Sequence, residues 1–233
     1  MSRRRVNTTR LEIIQLATEM ILSAGYSATT PKRICDELDI STGNLTYYFP
    51  TKEHLLAVLV EMLCNFQGKT LQSTVNEGST SLLAVCLELA TMAAMSEESE
   101  VAKDLFVSAY SSPVCLEIIR RNDAQRSRSV FGEFCPGWTD EQFIEAETLV
   151  SGIEYATMMT TGDSTSLENR ITGALNNIMR IYNVPEDIRT VKINKVLAMD
   201  YRAVGRRVLD EFRAYVKETN EHILEDVLQK GTL

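Results

Sequence analysis

Histidine is almost absent from this 233-residue sequence, which holds only two. Neither His54 nor His222 has a triad or zinc partner at motif spacing, and no G-x-G-x-x-G, P-loop or G-x-S-x-G pattern occurs. The chain therefore reads as not an enzyme, with no catalytic residue, metal ligand or cofactor assigned. Glu218, Glu221, His222 and Glu225 stand at helical spacing, where a cation site is conceivable, but a solvated charged face is the plainer reading. Cysteine is also sparse, with five at wide and irregular spacings and no C-x-x-C pair. That excludes a disulfide framework and a zinc ribbon, and fits a reducing, cytoplasmic setting. No stretch approaches the roughly 18 uninterrupted apolar residues that a membrane span needs, and no apolar segment follows the arginines near the N-terminus, so neither a membrane nor a secretory role is expected.

Basic charge is in deficit as well, with 24 Lys and Arg against 32 Asp and Glu, a formal net charge of −8. Phosphates respond to local charge, within a Debye length of about 8 Å. Residues 1–54 carry seven basic and six acidic side chains, so the remainder of the chain holds the whole deficit. Arg3, Arg4, Arg5 and Arg10 precede every acid, which places a basic arm on an acidic body. As an arm it is either a disordered tail or a contact to phosphate or minor groove.

Glycine and proline number only 11 and 5. Apolar residues recur at three and four, never persistently at two, so the fold class is all-α. A first helix is expected from Thr8 or Thr9, with Glu12 as capping-box partner, to a stop at Gly25. Thr30 caps a second, short helix with Pro31 at its first position. Asp39, Ile40 and Ser41 form a turn, and Ser41 caps a third helix ending at Phe49, before Pro50. A fourth starts at Thr51 and runs to a break near residues 76–79. Further helices follow over 82–95, 101–110, 113–134, 140–160 and 167–182, and one long segment over 185–228 keeps Tyr201, Val204, Val208, Phe212 and Tyr215 in register.

Two short helices joined by a three-residue turn have the geometry of a helix-turn-helix, whose second helix enters the major groove. The stretch Gly25 to Leu55, GYSATTPKRICDELDISTGNLTYYFPTKEHL, resembles the DNA-binding domain of TetR/AcrR-family transcriptional regulators. The resemblance rests on Gly25, Tyr26, Thr30, Ile34, Ser41, Gly43, Leu45, Phe49, Lys52 and Leu55, and covers about the first quarter of the chain. It departs at Cys35, Asp39 and Thr46, where the family usually has Ala, Gly and Tyr.

With Leu45 pointing inward, a rotation of about 100° per residue puts Thr42, Tyr48 and Phe49 towards the core side and Gly43, Asn44, Thr46 and Tyr47 sideways or outward. Asn44 can pair with adenine, Thr46 can touch a base edge or a thymine methyl, and Gly43 permits close approach. Thr30, Lys32, Tyr47 and Lys52 are the phosphate candidates, Lys52 at a helix N-terminus. The expected interface is thus Thr30, Lys32, Thr42, Gly43, Asn44, Thr46, Tyr47, Tyr48 and Lys52.

The resemblance implies a homodimeric repressor of a palindromic double-stranded DNA operator, with residues 1–54 as the DNA-binding domain and 55–233 as an all-helical domain for dimerisation and for a small-molecule effector. Candidates for a four-helix dimer bundle are 143–159 and 167–182, with the 191–228 segment as a rival interface. Met92, Met95, Phe106, Tyr110, Phe131, Tyr155, Met158 and Met159 are candidates for a soft apolar ligand pocket, although a Met and aromatic stripe more often forms plain core. The alternative function is an all-helical protein-interaction module that keeps the helix-turn-helix scaffold without binding DNA.

Overall fold

The computed structural model describes residues 3–76 and 81–231. Among these every regular element is an α-helix: α1 Arg3–Ala24, α2 Pro31–Leu38, α3 Thr42–Tyr48, α4 Lys52–Val75, α5 Leu82–Glu98, α6 Glu100–Ser111, α7 Pro113–Phe131, α8 Asp140–Met158, α9 Leu167–Ile181, α10 Glu186–Leu197, α11 Tyr201–Glu218 and α12 Glu221–Gly231. None of them is long and apolar enough to cross a membrane.

The N-terminal unit closes α1 to α3 around Ile13, Ile14, Ala17, Ile21, Ile34, Leu45 and Phe49, all buried. α4 begins on this unit and continues without a break into the larger bundle, burying Leu55, Leu56, Leu59, Met62 and Leu63 on the way. The middle of that bundle is α5, buried on nearly every side from Leu82 to Ser96 and packed against α4, α6, α8, α9, α10 and α11. Its composition explains the position: LLAVCLELATMAAM is apolar on every side but that of Glu88, and such a helix finds no broad solvent face to present.

Two expectations are corrected. α1 starts at Arg3, so Thr9 and Glu12 lie inside the helix and make no capping box at its start. Arg3, Arg4 and Arg5 belong to helical backbone, while their side chains lie outside the described residues. Arg10 leaves the arm altogether. Its guanidinium lies 5.9 Å from the centre of the Phe49 ring, and burial lowers its pKa.

The long C-terminal segment is three helices. Asp200 accepts the N–H of Ala203 at 2.9 Å and caps a fresh start at α11, and extended backbone at Thr219 ends that helix before α12. Apolar spacing persisted through these breaks because α11 and α12 bury one side against the same neighbours, α1 and α4. Gln15 of α1 holds the end of α11, its Nε2 donating to the carbonyls of Val216, Lys217 and Thr219 at 3.3, 3.1 and 3.1 Å. Other helix ends fall within about three residues of expectation, the usual scatter where terminal turns fray. The break expected at 76–79 begins with Asn76 in the left-handed region, and its remaining residues lie outside the described ones.

Candidate nucleic-acid interface

The α2–turn–α3 segment is fixed by local hydrogen bonds. Thr30 Oγ1 accepts the N–H of Arg33 at 3.2 Å, with Pro31 following it, and Ser41 Oγ accepts the N–H of Asn44 at 3.2 Å. Between them Asp39 adopts φ 51° and ψ 45°, the left-handed conformation that the turn requires. Leu45 and Phe49 anchor α3 inward at 4% exposure each. The opposite face is open: Thr42, Gly43, Asn44, Thr46 and Tyr47 are all exposed, Tyr47 at 74%.

The expected interface residues do not all fall on this face. Helical rotation puts Thr42 towards the core side, but as the first residue of α3 it has no preceding helical turn above it and stands in solvent. Thr46 turns its hydroxyl back to the carbonyls of Thr42 and Gly43, at 3.0 and 3.3 Å. Tyr48 is half-buried, edge-on to Tyr47 with ring centres 5.0 Å apart. Thr30 and Lys32 are exposed at the start of α2. Lys52 is engaged elsewhere: its ammonium donates to the carbonyl of Tyr26 and lies 3.8 Å from the centre of that ring. Burial lowers its pKa and raises that of Tyr26 to about 12. This arrangement joins α4 to the loop after α1, and nothing in the sequence pattern reveals it.

That loop has a second attachment, to the larger bundle. Asp104 of α6 accepts the backbone N–H and the hydroxyl of Ser27, each at 2.6 Å. Gly25, at φ 93°, makes room for it, since a Cβ there would stand 2.7 Å from Asp104 Oδ2.

The eight candidates for an effector pocket are dispersed. Met92, Met95 and Phe106 meet beneath α11, around a void of only about 10 Å³ beside Gly205 and Val208. That is no more than a single water needs, and all three are buried, so they are packed core there. Phe131 stacks on Tyr182 with centres 4.1 Å apart, and Tyr110 donates to Glu154 at 2.9 Å. Met158 is fully buried, Tyr155 half-buried and Met159 39% exposed. The stripe therefore forms no single pocket.

Near Phe131 the sequence reading missed a buried polar cluster. Arg126 of α7 pairs with Glu88 of α5 and, at 3.1 Å, with Asp123 on its own helix. Glu147 of α8 accepts from Ser127 at 2.5 Å and from Tyr182, and Glu154 lies one helical stretch along. Of these four carboxylates two pair with the guanidinium, and burial shifts Asp123, Glu147 and Glu154 towards the protonated form. Asp123 is pushed up to about 8, first by burial and then by Glu147 and Glu88, with Arg126 opposing. Glu154 is raised as well, first by burial and then by Asp123 and Glu147. These residues come from α5, α7 and α8, and only the tertiary fold brings them together.

The spacious cavity lies between α7 and α8, holds about 630 Å³ and is lined by Leu116, Ala124, Phe143 and Ile144 together with Arg120, Arg121 and Arg128. At Glu218, Glu221, His222 and Glu225 the break between α11 and α12 interrupts the helical line, and among the described residues no group of three potential ligands could hold a metal ion.

Residues 13–59 match the family model described as bacterial regulatory proteins, tetR family. No curated protein matches the chain. Two crystal structures described as a gamma-butyrolactone receptor (ArpA-like protein) are similar at 16% and 17% identity, with TM-scores of 0.41 and 0.42. They cover 89% and 88% of this chain and 99% of their own. A third is described as a TetR family protein, CprB from S. coelicolor A3(2), at 17% identity and a TM-score of 0.37, covering 92% of this chain and 100% of its own.

Proposed function

With a tetR-family DNA-binding domain at residues 13–59 as the premise, we propose that the chain is a homodimeric, ligand-responsive repressor that reads a palindromic operator through α3. The observation that carries this reading is the exposed face of α3, where Asn44 and Tyr47 stand out beside Gly43 while Leu45 and Phe49 fix the helix from behind. Asn44 can donate to and accept from an adenine edge in the major groove, and Tyr47 and Lys32 reach backbone phosphates that set register. The negative charge lies in residues 55–233, so the field at the interface is set by the groups within about 8 Å of it.

Residues 1–54 serve as the DNA-binding domain and 55–233 as the regulatory one. The dimer forms on α8 and α9. On α8 the residues Ile144 and Leu149 are 55% and 59% exposed, and space is open at Gly152, which lets a second helix approach closely. A two-fold dimer presents two copies of α3, and repression requires them about 34 Å apart, one turn of DNA. An effector that favours another separation releases DNA by shifting the population of dimers. Two rigid routes lead from regulatory to DNA-binding domain: α4, continuous across the boundary, and the Asp104–Ser27 contact from α6. Such a regulator works in the cytoplasm and needs no cofactor.

Selection of bound duplexes from a random pool, with the mass of the free protein measured by sedimentation, tests this. A dimer that recovers a two-fold symmetric site supports the reading. A folded dimer that recovers no site supports the interaction module instead.

A further inference from the structure

The α7–α8 cavity has the size of a small-molecule site, since such sites span about 300–1,000 Å³. Its apolar lining is Pro113, Leu116, Ala124, Phe143 and Ile144, of which Pro113 and Ile144 are also exposed to solvent. Three guanidinium groups face it, and they differ in what already holds them. Arg121 is bound to Glu61 at 2.5 Å, and Arg128 is paired with Asp140. Arg120 forms no ion pair among the described residues; its Nε donates to Ser151 of α8 at 2.9 Å, which leaves both terminal nitrogens without a protein acceptor. A hydroxyl satisfies geometry but not charge. Glu117 and Asp140 also line the cavity, Glu117 exposed at its rim and Asp140 already paired with Arg128.

A guanidinium whose charge is uncompensated, beside an apolar lining, calls for an anion with an apolar body. A planar carboxylate matches the two remaining N–H groups in a forked arrangement, and the hydrocarbon takes the place of water over Leu116, Ala124 and Phe143. We infer that this cavity binds a lipophilic monocarboxylate, anchored by Arg120, and that it is the effector site of the regulator. The inference rests on the ligand-responsive reading given above. It moves the effector away from Met92, Met95 and Phe106, which are packed core, and from the other Met and aromatic candidates, which share no pocket, onto a surface that the sequence pattern did not mark. Ser151 positions Arg120, so binding draws α7 and α8 together through a bond that already joins them. Since α8 carries the exposed residues of the dimer face, occupancy alters the surface on which the two copies meet.

The test uses the full chain and two probes of equal length, decanoate and decanol, titrated calorimetrically into wild type, Arg120→Met and Arg120→Lys. Circular dichroism and thermal melting of each variant establish that it is folded. The expected result is decanoate binding at least about tenfold tighter than decanol in wild type, a gap lost in Arg120→Met and partly kept in Arg120→Lys, with decanol binding unchanged throughout. Equal binding of the two probes, no binding of decanoate, or a gap that survives in folded Arg120→Met overturns the assignment. Operator affinity is measured in the same samples. Decanoate that binds through Arg120 yet leaves DNA affinity unchanged supports the site and removes its role as effector site; DNA binding without decanoate binding removes the site and leaves the regulator.

Discussion

Asp104 of α6 holds Ser27, in the loop between α1 and α2, by two hydrogen bonds of 2.6 Å each. One carboxylate thus fixes the backbone from which the helix-turn-helix departs to the helix next to α5. Replacing Asp104 by Ala is expected to lower unfolding stability by about 1 kcal/mol, because the charged acceptor is lost at an exposed site, and to weaken operator binding severalfold as the approach of α2 loosens. Urea unfolding and a gel-shift titration measure the two effects.

Gly25→Ala tests the same junction from the other side. The left-handed φ of 93° and the nearby Asp104 oxygen both oppose a Cβ. A loss of about 2 kcal/mol is expected in urea unfolding, more than the Asp104→Ala loss, because backbone strain adds to the broken contact.

Lys52 gives a sharper contrast with what its sequence position implied. A lysine devoted to a phosphate would, on replacement, leave stability intact and reduce the salt dependence of binding by about one counterion. The contact with Tyr26 predicts the reverse. Lys52→Met lowers stability by about 1–2 kcal/mol through the lost cation–π and hydrogen-bond contacts, with the slope of log affinity against log salt unchanged.

The cluster around Arg126 makes stability depend on pH. Asp123 ionises near 8 when folded and near about 3.9 when unfolded, so the folded chain keeps a proton that the unfolded chain releases. Its stabilising contribution is complete below the unfolded value and is lost as pH rises through the folded one. Glu147 and Glu154 shift in the same direction. The melting temperature is therefore expected to fall as pH rises from about 5 to 8. Asp123→Asn, neutral at every pH and still able to accept from Arg126, should melt about 2 °C higher than wild type at the upper end and flatten the trend.

Gln15 supplies a further test, of the brace between the C-terminal helices and α1. Leu is close to Gln in volume and cannot donate, so Gln15→Leu leaves the carbonyls of Val216, Lys217 and Thr219 to water at a part-buried helix end. A loss of about 1 kcal/mol in urea unfolding is expected.

The parts of the molecule that sequence made legible are those whose causes are local. Thr30, Pro31, Asp39 and Ser41 each act within four residues, so the helix-turn-helix and its outward face could be read directly. The breaks at Asp200 and Thr219 are local as well, but the apolar spacing that continued across them concealed the caps. What could not be read depends on contacts between distant segments. Lys52 meets Tyr26 across a helix pair, Arg126 gathers carboxylates from three helices, and Met92, Met95 and Phe106 are packed by α11 from more than 90 residues away. Arg120 carries no mark in the sequence, where it is one of two adjacent arginines on a helix. Only its neighbours on α8 distinguish it.

The measurement that bears most directly on the central claim is a comparison of operator duplexes altered at single base pairs, bound by wild type and by Asn44→Ala. If α3 reads DNA through Asn44, wild type should discriminate against substitution of one adenine, repeated symmetrically in both half-sites, by about tenfold or more. Asn44→Ala should lose that discrimination at that pair alone. Uniform weakening at all positions, or unchanged discrimination, would contradict the account and place base reading outside this face of α3.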